Sequence, residues 1–151
     1  MSAARTESVS TFVRYAAVPH SPPFESLDFI YTPTAEVDAT AAWYVDVLHA
    51  HLDFKVRAMG TTVASITLTG NGPRILLAGH LRTPGPILVY RVAGYADAVS
   101  SFAERGLHPS EQLEIPHGPC AVFEAEGGQA FAIYELVRPG ATEYFDGRID
   151  P

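Results

Sequence analysis

The stretch Gly127-Gly128-Gln129-Ala130-Phe131-Ala132-Ile133-Tyr134-Glu135 decides how the chain is read. Its two glycines mark a turn, since a residue without a Cβ takes positive φ at little cost. The residues after them alternate. Phe131 and Ile133 are large and apolar, whereas Ala130, Ala132 and Tyr134 form a smaller, mixed set. Along a strand the two sets point to opposite faces, so the first is expected under a helix and the second on a hollow or an interface. The stretch closes on Glu135, which is either a metal ligand or a strand-end charge. It stands three positions past Ala132 and on the opposite face, so a carboxylate held by a backbone N–H, by Arg91 or by Arg138 is expected.

The pattern has a counterpart upstream. Arg74-Ile75-Leu76-Leu77 aligns with Ala130-Phe131-Ala132-Ile133 at an offset of 56, and Gly72 aligns with Gly128 at the same offset. Phe29 aligns with Ile87, and Tyr44 with Phe102, both at 58. Working outward, Leu27 to Tyr31 reads as a strand, and Thr34 as the cap of a helix that buries Val37, Ala41, Tyr44 and Leu48. Strands are expected over 52–57, 61–69 and 74–79, parted by turns at Gly60 and Asn71-Gly72. The second half repeats the order: a strand over 87–92, a helix with Tyr95, Val99 and Phe102 inward and Gly106 just past its end, then strands over 111–115, 120–125 and 129–136. Each half therefore reads β-α-β-β-β, and a repeat of such order at a near-constant offset points to a duplicated unit. The expected fold is α+β, with curved sheets around a cleft. A first module spans 26–82 and a second 85–138, preceded by an N-terminal arm (1–25) and followed by a C-terminal tail (139–151).

Composition narrows the function. The 151 residues suit one domain, and 47% of them are apolar, enough for a packed core. A formal net charge of -7, with no two basic residues adjacent, argues against nucleic acid and anionic membranes as partners. The single cysteine, Cys120, rules out an internal disulfide framework and a Cys-rich zinc site; on a strand without an adjacent base it reads as an inert buried thiol. No apolar run approaches the ~20 residues of a membrane span, and MSAARTESVS lacks a leader pattern. A soluble, cytoplasmic protein is expected.

Three segments carry a resemblance: Glu36-Val37-Asp38-Ala39-Thr40-Ala41-Ala42-Trp43-Tyr44-Val45-Asp46-Val47-Leu48, Val92-Ala93-Gly94-Tyr95-Ala96-Asp97-Ala98-Val99, and Gly128 to Glu135. In order and spacing they resemble the two helices and the final strand of the vicinal oxygen chelate superfamily, which includes glyoxalase I, extradiol dioxygenases, and fosfomycin- and bleomycin-resistance proteins. The resemblance covers Leu27 to Arg138 and implies the paired-module fold. Chelating relatives take His, Glu or Gln ligands from the first and fourth strands of each half, leaving metal positions open to substrate oxygens. By position those slots fall on Phe29, Leu76, Ile87 and Ala132, none with a lone pair to give. A slip of one residue offers Asp28 beside Leu77 and Leu88, and turns the side chains to the other face. No metal and no cofactor is therefore expected.

The resemblance and the residues together imply a metal-free cleft that binds a small, largely apolar organic molecule, as drug-sequestering resistance proteins do. The alternative is an enzyme of this fold (a lyase, isomerase or dioxygenase-like protein) using His and Tyr acid–base groups or a relocated metal. A third reading is a module whose hollow is filled by its own arm. A homodimer is expected, because many relatives complete their clefts by pairing. The ligand-binding candidates are Phe29, Tyr31, Trp43, Arg74, Leu76, Ala78, His80, Ile87, Val89, Arg91, Ala132 and Tyr134. For proton transfer His80, His117 and Tyr31 are the candidates, since imidazole titrates near neutrality. A His80–His117 metal pair would be a new site. His49 and His51 read as helix-end residues, and His20 and His108 as loop residues.

Overall fold

Two strands that belong to different modules hold the molecule together. In the computed structural model, which describes residues 23–58 and 60–151, β1 (Phe24–Pro33) opens the first module and β5 (Ile87–Val92) the second. They pair antiparallel, joining the halves edge to edge. The first module continues with α1 (Val37–Leu48), β2 (His51–Ala58), β3 (Thr61–Thr67) and β4 (Arg74–Ala78). The second continues with α2 (Tyr95–Glu104), β6 (Glu111–Ile115), β7 (Gly118–Glu124) and β8 (Ala130–Tyr134). A short helix, α3 (Ala141–Phe145), follows. The strands form one sheet in the order β2-β3-β4-β1-β5-β8-β7-β6, with β1–β4 and β5–β8 parallel. The α+β fold of two βαβββ modules is thus present, as one continuous curved sheet rather than two.

Packing follows the alternation read from sequence. Ile75 and Leu77 lie under α1 with Val37, Ala41, Ala64 and Ile66. Phe131 and Ile133 lie under α2 with Phe102 and Phe123, the rings of Phe123 and Phe131 stacking at 5.3 Å. The opposite face gathers Phe29, Ile87, Val89, Cys120, Ala132 and Tyr134 into a third cluster. Each module so buries one face against its helix, and the two modules share the other.

Several local expectations need correction. β1 begins at Phe24, inside the expected arm, because the Phe24 ring is held between Tyr90 and Phe102, at 4.9 and 6.1 Å. The rest of the arm, with His20, lies outside the described residues, as does the arm-filled hollow. Thr34 does not cap α1: Glu36 occupies the N-cap without a side-chain bond, while the Thr34 hydroxyl meets that of Thr40 at 2.9 Å. Leu48 is 45% exposed, because α1 ends there and His49 turns the chain with a left-handed φ of 55°. Gly106 does stand past the end of α2 as expected. Its N–H bonds Ala103 O and that of Leu107 bonds Phe102 O, the paired bonds of a glycine-terminated helix.

The tail has structure of its own. Phe145 packs on Phe54 at 5.5 Å, and the Arg74 guanidinium donates to both oxygens of Asp146, at 2.8 and 3.3 Å. Gly147 N–H then bonds Asp53 O, Lys55 N–H bonds Arg148 O, and Asp150 N–H bonds Lys55 O, each at 2.8 Å. The last residues thereby pair with the outer edge of β2, which would otherwise present unpaired backbone groups. At the other edge β6 carries Glu111 and Glu114, charges that discourage strand addition.

Candidate functional site

The register of the central strands lays the shared face out in rows. Leu76, Tyr31 and Ile87 form one; Arg74, Phe29, Val89 and Ala132 form the next; Ser26, Arg91, Tyr134 and Cys120 form a third. Hydrocarbon dominates the first two rows and polar groups the third, so the shared face is apolar over most of its length and polar at one end. The four slots of the chelating pattern, Phe29, Leu76, Ile87 and Ala132, all lie in the apolar part. Their side chains offer no oxygen, nitrogen or sulfur, and so do not suit a divalent cation. Among the described residues no group of three or more His, Cys, Asp or Glu side chains is placed to hold one.

The polar end is built around a residue that alternation puts on the wrong side. Pairing of β1 with β5 shifts register between Leu27 and Phe29, making Asp28 the extra residue of a bulge. A bulge re-aims a side chain, and here it brings the Asp28 carboxylate to the face carrying Phe29 and Tyr134. Ser26 Oγ donates to Asp28 Oδ1 at 2.6 Å, and the Tyr134 hydroxyl donates to Oδ2. Arg91 Nε stands 3.5 Å from Asp28 Oδ2 and 3.7 Å from Glu25 Oε1. The His117 ring meets Phe29 at 5.3 Å and Tyr134 at 5.8 Å. Ser26, Asp28, Phe29, Arg91, His117 and Tyr134 line a hollow of about 300 Å³.

Burial sets the protonation of this group. It raises the Tyr134 pKa, reinforced by the hydrogen bond to Asp28, so the phenol stays a donor. Desolvation lowers the His117 pKa below its ordinary 6.5, with the Asp28 charge opposing, so the ring is neutral at pH 7. A stability consequence follows. As pH falls below 6.5 the unfolded chain takes up the His117 proton before the folded one does, so stability present above 6.5 is lost as pH drops through the lowered folded value. Urea unfolding of wild type and His117→Gln at pH 7.5 and 5 should show the wild type losing more stability; equal losses would exclude this role.

The remaining candidates divide between places. Tyr31, half-buried on the apolar part of the shared face, has its hydroxyl pKa raised by burial and faces the His80 ring at 6.2 Å. His80 itself is exposed and bonded through Nδ1 to Thr61 Oγ1 at 3.0 Å; it lines a second depression of about 360 Å³ with Asp38, Arg57 and Arg82, beside the start of α1. Of the three proton-transfer candidates, only His117 joins the polar end, and a His80–His117 metal pair is not formed. Trp43 is a correction: it is 50% exposed on α1, edge-on to Tyr44, in the helix layer behind the sheet. Ala78 has no exposed surface (0%) and is sealed from any ligand. The buried Cys120 thiol is pushed up to about 12 by desolvation, as expected of an inert group.

Glu135 proves to be a cap. Its Oε1 accepts the Tyr95 N–H at 2.8 Å at the start of α2, where the N-cap, Gly94, has no side chain to do so. The two arginines proposed as its partners are engaged elsewhere. Arg91 is at the polar end, and Arg138 holds Glu114 and the carbonyls of Pro116 and Ile115, fixing the turn that carries His117.

The sequence matches no family model and no curated protein. Solved structures do match. Methylmalonyl-CoA epimerase from Mycobacterium tuberculosis superposes with a TM-score of 0.65 at 17% identity, over 84% of this chain and 98% of that one. A hypothetical protein from Bacillus halodurans gives 0.62 at 16% identity, over 75% of this chain and 95% of that one. A methylmalonyl-CoA epimerase in complex with methylmalonyl-CoA and NH4+ gives 0.61 at 13% identity, over 76% and 96%. These epimerases are members of the vicinal oxygen chelate superfamily. At such identities the likeness carries the fold: this chain has the vicinal oxygen chelate fold. No helix among the described residues is long and apolar enough to cross a membrane.

Proposed function

We propose that this chain is a small-molecule-binding protein whose cleft works without a metal and takes a small, largely apolar organic molecule. One observation carries the reading: the four positions where chelating relatives hold ligands carry only hydrocarbon, and they pack into one apolar cluster beside the hollow that Phe29 lines with Asp28, Arg91 and Tyr134. A concave apolar surface with a few convergent polar groups is the usual make-up of such a site. Sequestration or resistance is the biological role that suits it, in the cytoplasm and as a homodimer. The test combines metal analysis of protein purified without chelators and ligand titration. Substoichiometric metal and a saturable rise in melting temperature with ethylbenzene are expected. Near-stoichiometric metal that chelation removes would overturn the reading.

A second reading rests on His117. A neutral imidazole near a carboxylate and a guanidinium is equipped to move a proton, as an isomerase or lyase would require. The epimerases with which this fold superposes lend that reading support. Turnover separates the two: sequestration predicts no product and no solvent-deuterium incorporation into a bound ligand over long incubation, and enzyme action predicts both, abolished in His117→Gln.

A further inference from the structure

The polar end of the hollow also specifies what part of a ligand belongs there, given the small-molecule reading above. Arg74 is held by Asp146, to which its Nη1 and Nη2 donate at 2.8 and 3.3 Å; its Nε lies 3.9 Å from Asp53 Oδ2, an ion pair without a hydrogen bond. Arg91 has no such bidentate partner among the described residues. Its Nε is enclosed and has no hydrogen-bond acceptor among them, although Asp28 and Glu25 stand in ion-pair range at 3.5 and 3.7 Å. The Asp28 carboxylate accepts instead from two hydroxyls, Ser26 on Oδ1 and Tyr134 on Oδ2. The Arg91 side chain is 36% exposed and lines the hollow, so a guanidinium without a full set of acceptors within the protein is there for a ligand to use.

Charge decides which acceptor. Two guanidiniums, Arg74 and Arg91, face four carboxylates, Glu25, Asp28, Asp53 and Asp146. A ligand carboxylate would add a fifth negative charge to a partly enclosed region that already has an excess, and the repulsion would be weakly screened. An ammonium would seat a cation beside Arg91 with nothing to accept from the guanidinium. A neutral oxygen avoids both costs. We infer that the ligand is anchored by a neutral carbonyl (of a ketone, ester or amide) that accepts from Arg91, with its apolar body on Phe29 and Leu136. Arg91 then determines specificity, since its planar fork offers donors where a lysine would offer a point charge.

Four aromatic probes of near-equal size test this on the full chain: ethylbenzene, acetophenone, benzoate and benzylamine, titrated at pH 7.5 and followed by amide chemical-shift changes. Acetophenone is expected to bind ~10-fold tighter than ethylbenzene, the scale of one hydrogen bond from a charged donor, and tighter than either ion. Arg91→Met should abolish that preference. Arg91→Lys keeps the charge beside Glu25 and Asp28, so it reports on the same point if the methionine variant fails to fold; it should reduce the preference several-fold. Tightest binding by benzoate would overturn the inference, and so would equal binding of acetophenone and ethylbenzene. Binding by none of the four would overturn the small-molecule reading as well.

Discussion

Replacing Gly118 with alanine is expected to cost about 3 kcal/mol of stability, the upper range for overpacking a filled site, and to displace His117. A Cβ built on Gly118 would lie 2.1 Å from Glu135 O and 3.0 Å from Val137 Cγ2. The first obstacle is backbone, so rotation of a side chain cannot relieve it. Nor is that backbone loose. Glu135 N–H bonds Pro119 O at 3.2 Å, and the N–H groups of Val137 and Arg138 both bond His117 O at 3.0 Å. Moving Glu135 aside would also draw its carboxylate from Tyr95 and uncap α2. One methyl group thus presses on the turn carrying His117, the end of β8 and the start of a helix. Gly127 and Gly128 make the control. Both have positive φ, 94° and 92°, but a Cβ on either meets nothing within 4 Å. Alanine there should cost about 1 kcal/mol through backbone strain alone. Urea unfolding measures all three, and the His117 ring resonances report the displacement. A Gly118→Ala protein as stable as the Gly128→Ala protein would show that the contact yields.

Those same glycines show what sequence does and does not disclose. Alternation in 130–134 assigned both faces of β8, and the offset repeat extended that assignment to β4, because period-two patterning is a local property that packing preserves. Alternation fails where a strand takes in an extra residue. Asp28 stands in a bulge of β1, and the register of β2 with β3 shifts at Asp53 in the same way. Each aspartate therefore reaches the face that counting by twos denies it. There was a signal: the triplet Leu-Asp-Phe occurs at 27–29 and again at 52–54, each placing an acid inside an apolar strand. Trp43 was also legible. It lies about 120° around the helix from the Val37–Ala41–Tyr44 stripe at the usual ~100° per residue, too far to share its face. The docking of α3 and the closing residues was not legible, because it depends on Phe145 meeting Phe54 and Asp146 meeting Arg74, contacts between distant parts of the chain.

The second bulge sets up the other large effect: Asp53→Ala is expected to cost about 3–5 kcal/mol, the scale for removing one member of a buried ionic cluster. Asp53 is 7% exposed, and its carboxylate accepts from Ser65 Oγ at 2.9 Å and from Thr67 Oγ1 at 2.7 and 2.9 Å. Without it the Ser65 hydroxyl, wholly buried, loses its acceptor, and Arg74 loses the carboxylate 3.9 Å from its Nε. Asp53→Asn keeps the shape and one acceptor oxygen, so about 1–2 kcal/mol is expected for it. The residue's backbone matters separately, because Asp53 O accepts Gly147 N–H where the tail joins the edge of β2. Loss of the side chain should loosen that edge, raising amide exchange at Gly147 and Lys55 before global unfolding. Because Arg74 also holds Asp146, a double-mutant cycle of Asp53→Ala with Asp146→Ala should show coupling of about 0.5 kcal/mol or more. Strict additivity would mean that the tail and the buried carboxylate act on Arg74 independently. Coupling would make Arg74 the joint through which the C-terminal residues stabilise one wall of the cleft.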